Sequence, residues 1–171
     1  MCVIITKEKG QKMPSLGLLA SCYRANPDGC GFVSTRHSFK SLNFTDFYRH
    51  LSRVKDDEAC IIHFRFATHG GVCQRNCHPF KIGKVAFAHN GVLPIEPLAD
   101  KTDSETAFIE EIYPAIQRYG WGNRRTDAAI NRVRGGSRFA FLVGGKIKTY
   151  GNFVDYEGYK FSNLNFLYRY W

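Results

Sequence analysis

The sequence predicts an α+β domain, with strands near both ends of the chain and helices segregated between them. Three observations predict it. Runs rich in β-branched and aromatic residues occur early, at 2–6 and 59–66, and return from 138 onward. Apolar residues recur at helical spacing elsewhere, first at Phe44, Phe47, Tyr48, Leu51 and Val54, then at Ala107, Phe108, Ile112, Ala115 and Ile116. Of 171 residues, 44% are hydrophobic, 15% aromatic and 23% charged, a globular composition. A chain of this length forms one domain, 1–171, and buries about 70% of the surface its unfolded form exposes.

In chain order, a short apolar strand at 2–6 is followed by a helix over about 14–25 and by a turn in NPDGCG at 26–31. GFVST and SFKSL read as a hairpin, and the stripe from Phe44 to Val54 as an amphipathic helix. ACIIHFRF at 59–66 is β-rich, and KVAFAHNG at 84–91 is a second strand ending in a turn-forming Asn-Gly. TDSE, beginning at Thr102, has the form of a capping box, so a helix starts there, and Pro114 should kink or end it. After a shorter helix around 126–133, the segments RFAFLVGG, KIKTYGN, YKFSN and LNFLYRY read as a C-terminal meander of strands. There is no linker, internal repeat or low-complexity stretch.

The charge balance, 24 Lys plus Arg against 15 Asp plus Glu, gives a net +9, with an arginine-rich segment at 118–139. Such a balance favours acidic partners such as nucleic acid, but a solvated basic face produces the same count. No apolar run reaches the roughly 18 residues of a membrane span, and the N-terminus lacks the apolar core of a signal peptide. The expectation is a cytoplasmic protein with no membrane partner. Its six cysteines are then read as thiols, ligands or a nucleophile before disulfides.

Chemistry concentrates at 63–80, HFRFATHGGVCQRNCHPF, where His69, Cys73, Cys77 and His78 could be metal ligands. A structural zinc site usually pairs one Cys-Cys knuckle with a second. Here Cys73 and Cys77 have no such partner pair, and Cys22, Cys30 and Cys60 are scattered. No metal is therefore assigned. Cys2 offers another chemistry. Once Met1 is removed, Cys2 carries both a thiol, ordinarily near pKa 8.5, and an α-amine, ordinarily near 8, so that nucleophile and base share one residue. Read alone, Cys2 is more readily a buried small hydrophobe in the first strand than a nucleophile.

Position 2 gains meaning from RFATHG at 65–70, NCHP at 76–79, HNG at 89–91 and DSE at 103–105, which follow it in this order. The chain resembles the class II glutamine amidotransferases, whose pattern is a processed N-terminal Cys, R-x-A-T-H-G, N-x-H-P, H-N-G and D-[ST]-E. The match covers residues 2 to about 110, with NPDGCGF also similar, and the last third only in strand pattern and in KFSN. The resemblance implies an N-terminal-nucleophile (Ntn) hydrolase fold, a four-layer αββα sandwich with two antiparallel sheets. It implies that Cys2 attacks the glutamine side-chain amide, forming a thioester, while the Asn90 side chain and the Gly91 N–H hold the oxyanion. Arg65 would clamp the substrate α-carboxylate and Asp103 its α-ammonium, with Thr68 and His69 forming the wall beside the nucleophile. Asp103 also suits helix capping, and the two roles are compatible. His63 and His78 are read as structural hydrogen-bonders.

The chain departs from the family at Phe66, where Trp is common in the synthase subgroup, and at Val3, where Gly often follows the nucleophile. It also ends about where a glutaminase domain ends, and no G-x-x-x-x-G-K-[ST] loop is present. The expectation is a stand-alone glutaminase that needs no cofactor and passes ammonia to a separate acceptor synthase, or simply hydrolyses an amide or γ-glutamyl bond. The competing expectation is a binding module that retains the fold without turnover and engages nucleic acid or an acidic protein through 118–139.

Overall fold

The structure, a computed structural model, describes residues 1–68 and 70–168. Its first strand, β1 (Val3–Lys7), has no solvent face, because all five residues are buried. Even Lys7 is inside, its ammonium donating to the carbonyls of Glu58 (2.6 Å), Asp56 (3.0 Å) and Lys55 (3.3 Å). A strand covered on both sides must lie centrally. β1 pairs antiparallel with β4 (Cys60–Phe64) on one side and with β10 (Tyr159–Phe161) on the other. β2 (Cys30–Ser34), β3 (Ser38–Ser41) and β9 (Val154–Tyr156) complete a six-stranded sheet in the order β3-β2-β4-β1-β10-β9. A second sheet runs β5-β6-β7-β8, from β5 (Phe80–Ile82), β6 (Val85–Asn90), β7 (Arg138–Val143) and β8 (Lys146–Tyr150).

The alternation of side chains along a strand sorts these residues into layers. Val3, Ile5, Phe32, Ile62 and Phe64 pack with Leu18, Leu19 and Cys22 of α1 (Leu16–Ala25) and with Phe47 and Leu51 of α2 (Phe44–Leu51). Burying one such Leu or Phe contributes about 1.5–3 kcal/mol. Phe87, Phe139 and Phe141 pack against Phe108, Ile112, Ile116 and Ile130. Between the sheets lies a seam of smaller residues, including Ile4, Ile61, Ala86, Ala88 and Ala140. Helices, sheet, sheet, helices: this is the αββα sandwich with two antiparallel sheets.

Several elements differ from expectation. The helix begun by Thr102, whose hydroxyl accepts from Glu105 N (3.1 Å), is α3 (Asp103–Ala107). It continues through a π turn (Phe108–Ile112) into α4 (Tyr113–Tyr119). Pro114 has no N–H to give, and the helix accommodates it by widening: Tyr113 N donates to Phe108 O, five residues back, and Pro114 sits in the first turn of α4. The helix predicted at 126–133 is the longer α5 (Arg124–Arg134), capped by Asn123. The C-terminal meander is corrected. β7 and β8 belong to one sheet, β9 and β10 to the other, and LNFLYRY supplies no described strand. Asn163 Oδ1 accepts from Asn165 N (3.0 Å) and turns the chain into a short 3₁₀ turn (Asn165–Leu167), which buries Phe166 against Phe161. β5 and β9, three residues each, were too short to carry a readable alternation.

Candidate active site

The parity of β1 puts Cys2 on the same side as Ile4, toward the seam, and the parity of β4 does the same for Arg65 beyond Ile61 and His63. Cys2 Sγ rests against the Phe66 peptide: Phe66 N donates to it at 3.3 Å, and it lies 3.5 Å from Phe66 O. Its backbone carbonyl accepts from Asn163 Nδ2 at 2.7 Å. Burial raises the thiol pKa, opposed by the Phe66 N–H and by the positive charges of the chain terminus and Arg65. The thiol is therefore protonated at neutral pH, and an attack by sulfur needs a base beside it.

The segment after β4 is held by the NPDGCG turn. Arg65 N donates to Gly29 O (2.7 Å), Asp28 N to Arg65 O (3.0 Å), and Ala67 N to Asp28 Oδ2 (2.8 Å). The Arg65 side chain is buried and reaches the following loop, with Nη1 donating to Gly71 O at 3.1 Å. Asn76 Nδ2 donates to the same carbonyl at 3.0 Å, so one loop oxygen is fixed from two directions.

Across the cleft, β6 ends in His89, Asn90 and Gly91. Asn90 continues the seam-facing set of Ala86 and Ala88, and its Nδ2 lies 2.9 Å from Ser162 Oγ. His89 points the other way, where its Nδ1 meets Ser104 Oγ of α3 at 2.7 Å. Gly91 adopts φ +146°, and a Cβ there would collide with the Ser137 side chain, so only glycine fits. Asp103 ties this turn to α3: Oδ2 accepts from Leu93 N (2.9 Å), and Oδ1 from Ser104 N (2.7 Å).

Three buried imidazoles lie at the cleft, His78 and His89 in its lining and His63 against His78. His63 and His78 have ring centroids 4.4 Å apart, and His78 and His89 are 6.3 Å apart. Burial pushes the pKa of His63 down to about 3 and that of His89 to about 4, and holds His78 well below the ordinary value. All three are neutral at physiological pH. His63 and His89 serve as packing and hydrogen-bonding groups, whereas His78, expected to hydrogen-bond, only packs, both its ring nitrogens being buried without a partner, and none of the three is a standing cation.

Three curated relatives match part of the chain. The glutamine–fructose-6-phosphate aminotransferase (isomerizing) of Rhizobium meliloti is 33% identical over 95 residues, 48% of this chain and 15% of its own length. The protein of that name from Methanococcus maripaludis is 33% identical over 103 residues, covering 54% and 17%, and that of Gluconobacter oxydans 32% over 114 residues, covering 56% and 16%. The chain thus spans about one sixth of the length of these relatives. A solved structure described as the allosteric regulatory enzyme of purine biosynthesis superposes with a TM-score of 0.59 at 17% identity, over 94% of this chain and 41% of that one. The fold is that of the Ntn hydrolases. Over the matched residues the chain is similar to proteins named glutamine–fructose-6-phosphate aminotransferase. No family model matches the chain.

In this Ntn fold, Cys2, Arg65, Thr68, Gly91 and Asp103 line one cleft. Asn90 is not part of that lining; it is buried, with its Nδ2 on Ser162 Oγ. His69 lies outside the described residues. The sequence reading gave no cleft role to Asn76, His78, His89, Thr102 or Ser104, which also line it. It missed the clasp of Ser162 and Asn163 too, although KFSN had been noticed. His63 bonds His89 O through Nε2 (3.2 Å), whereas His78 is held by ring contacts with His63 and Phe80. Cys73 is exposed and Cys77 buried, and among the described residues no cluster of His, Cys, Asp or Glu could hold a metal ion. The cleft lining takes no residue from 118–139. Among the described residues no helix is long and apolar enough to cross a membrane.

Proposed function

We propose that the protein hydrolyses the side-chain amide of glutamine, with Cys2 as the nucleophile once Met1 has been removed. The observation that carries this reading is the seating of Cys2 Sγ on the Phe66 peptide in a cleft shared with Arg65, Thr68, Gly91 and Asp103. Sulfur attacks the amide carbon while the thiol proton passes to the α-amine of Cys2 and then to the departing ammonia. This leaves a γ-glutamyl thioester. Water adds to it, and glutamate leaves as the thiol is regenerated. Asn90 Nδ2 and Gly91 N hold the oxyanion in both steps, and loss of one such donor typically costs 10²- to 10³-fold in kcat. Arg65, kept rigid by its bond to Gly71 O, presents its guanidinium edge to the substrate α-carboxylate. Asp103 faces the α-ammonium, and Thr68 and His69 complete the wall. No cofactor enters these steps, and a synthase accepts the ammonia.

The raised thiol pKa supports the amine as base, because a thiol that stays protonated gains from a group able to take its proton within the same residue. The reading is tested by intact mass and by labelling. Loss of Met1, one adduct at Cys2 from a diazoketone glutamine analogue, and ammonia release that vanishes in Cys2→Ala are the expected results. Retained Met1 with no labelling overturns it.

A further inference from the structure

Ser162 Oγ occupies a position at which three parts of the proposed machinery meet. It accepts from Ile4 N at 2.9 Å, two residues from the nucleophile, while Ser162 N donates to Ile4 O at 2.9 Å. It lies 2.9 Å from the side-chain nitrogen of Asn90, across the seam in the other sheet. The next residue, Asn163, donates to Cys2 O at 2.7 Å. Ser162 and Asn90 are each 1% exposed, so water does not compete for these groups.

A donor count decides what the hydroxyl is for. Ser162 has one proton and already accepts from Ile4 N. With Nδ2 of Asn90 donating to it as well, its own proton goes unused, and Asn90 Oδ1 is buried with no hydrogen-bond partner. Oxygen and nitrogen of a side-chain amide are interchangeable by a half-turn. That half-turn places Oδ1 against Ser162, so that the hydroxyl donates to it and both groups are satisfied. Nδ2 then moves off Ser162 into the buried position that Oδ1 holds in the structure.

We propose that Ser162 is a positioning residue for amide hydrolysis: by donating its hydroxyl proton to Asn90 Oδ1 it fixes the amide with Nδ2 toward the oxyanion, while Asn163 holds the Cys2 carbonyl. The pair sets the spacing between nucleophile and oxyanion donor, which lie on different sheets. This rests on the oxyanion role proposed for Asn90.

The test is a mutant cycle on the full chain, reading kcat and KM for glutamine, the rate of Cys2 alkylation by iodoacetamide, and the melting temperature. Ser162→Ala lowers kcat about 10-fold or more, with KM and the alkylation rate within about 2-fold of the parent, because alkylation makes no oxyanion. Ser162→Thr, which keeps the hydroxyl, restores most of kcat. In an Asn90→Ala background, Ser162→Ala has no further effect on kcat, since it acts through Asn90. A Ser162→Ala enzyme with parental kcat overturns the proposal, as does a full additional loss in the Asn90→Ala background. So does a parallel fall of kcat and alkylation, which marks a structural role alone. A parent protein that releases no ammonia and takes no label at Cys2 overturns the glutaminase reading itself, and is recognised before any Ser162 variant is made.

Discussion

Three buried neutral histidines at the cleft make stability fall between pH 7 and pH 5, well above the range in which carboxylates usually cause acid unfolding. In the unfolded chain each imidazole titrates near 6.5, and in the folded protein His63 titrates near 3, His89 near 4, and His78 well below the ordinary value. Across that window the unfolded state binds protons that the folded state does not, so stability is lost as pH falls. Lowering the pH from 7 to 5 favours the unfolded chain by about 1.9 kcal/mol per histidine, or about 6 kcal/mol for the three together. That is comparable with the whole stability of an ordinary domain, about 5–15 kcal/mol. Glu58 and Asp127, whose carboxyls are held below their usual range by hydrogen bonds, contribute only at lower pH. Urea titrations followed by tryptophan fluorescence at half-unit pH steps should show a slope approaching about 4 kcal/mol per pH unit below pH 6. His78→Asn should reduce that slope by about one third. An unfolding free energy that changes by less than about 1 kcal/mol from pH 7 to 5 would show that these rings take up protons in the folded state, and the burial argument would fail.

Other perturbations test the cleft. Gly91→Ala adds a Cβ into the Ser137 side chain at a φ of +146°, and should cost about 1–3 kcal/mol in denaturant titrations as well as activity. Asp28→Ala removes the acceptor for Ala67 N and should lower stability by about 1–2 kcal/mol, with a rise in KM for glutamine exceeding the fall in kcat. Arg65→Lys keeps the charge but loses the planar fork that binds Gly71 O. It should raise KM at least about 10-fold and speed proteolysis within 70–73, both checked on one preparation.

The features that were legible from sequence are those encoded by short-range regularities. The β-rich run ACIIHFRF and the Asn-Gly turn that ends KVAFAHNG placed β4 and β6, and the Thr102 cap placed the start of α3. The cleft-lining residues Arg65, Gly91 and Asp103 were within reach of the sequence because their motifs sit at the boundaries of these elements. Long-range pairing was not. Nothing local in YKFSN states that Phe161 lies beside Ile5, or that Ser162 reaches Asn90 in the opposite sheet. The C-terminal meander failed for the same reason: β8 and β9 are neighbours in sequence, but the partners that choose their sheets lie elsewhere in the chain. LNFLYRY has strand composition, and a single hydrogen bond from Asn165 N to the Asn163 side chain turns 165–167 into a 3₁₀ turn instead.

Placing β1 between β4 and β10 also sets a timetable. Cys2, one residue before β1, gains the Asn163 contact to its carbonyl only after β10, more than 150 positions later, has been made and docked beside β1, as the Ile5–Phe161 register requires. A nascent chain stalled before residue 159 lacks that contact, so on the proposed reading its cysteine is not yet held in place for attack.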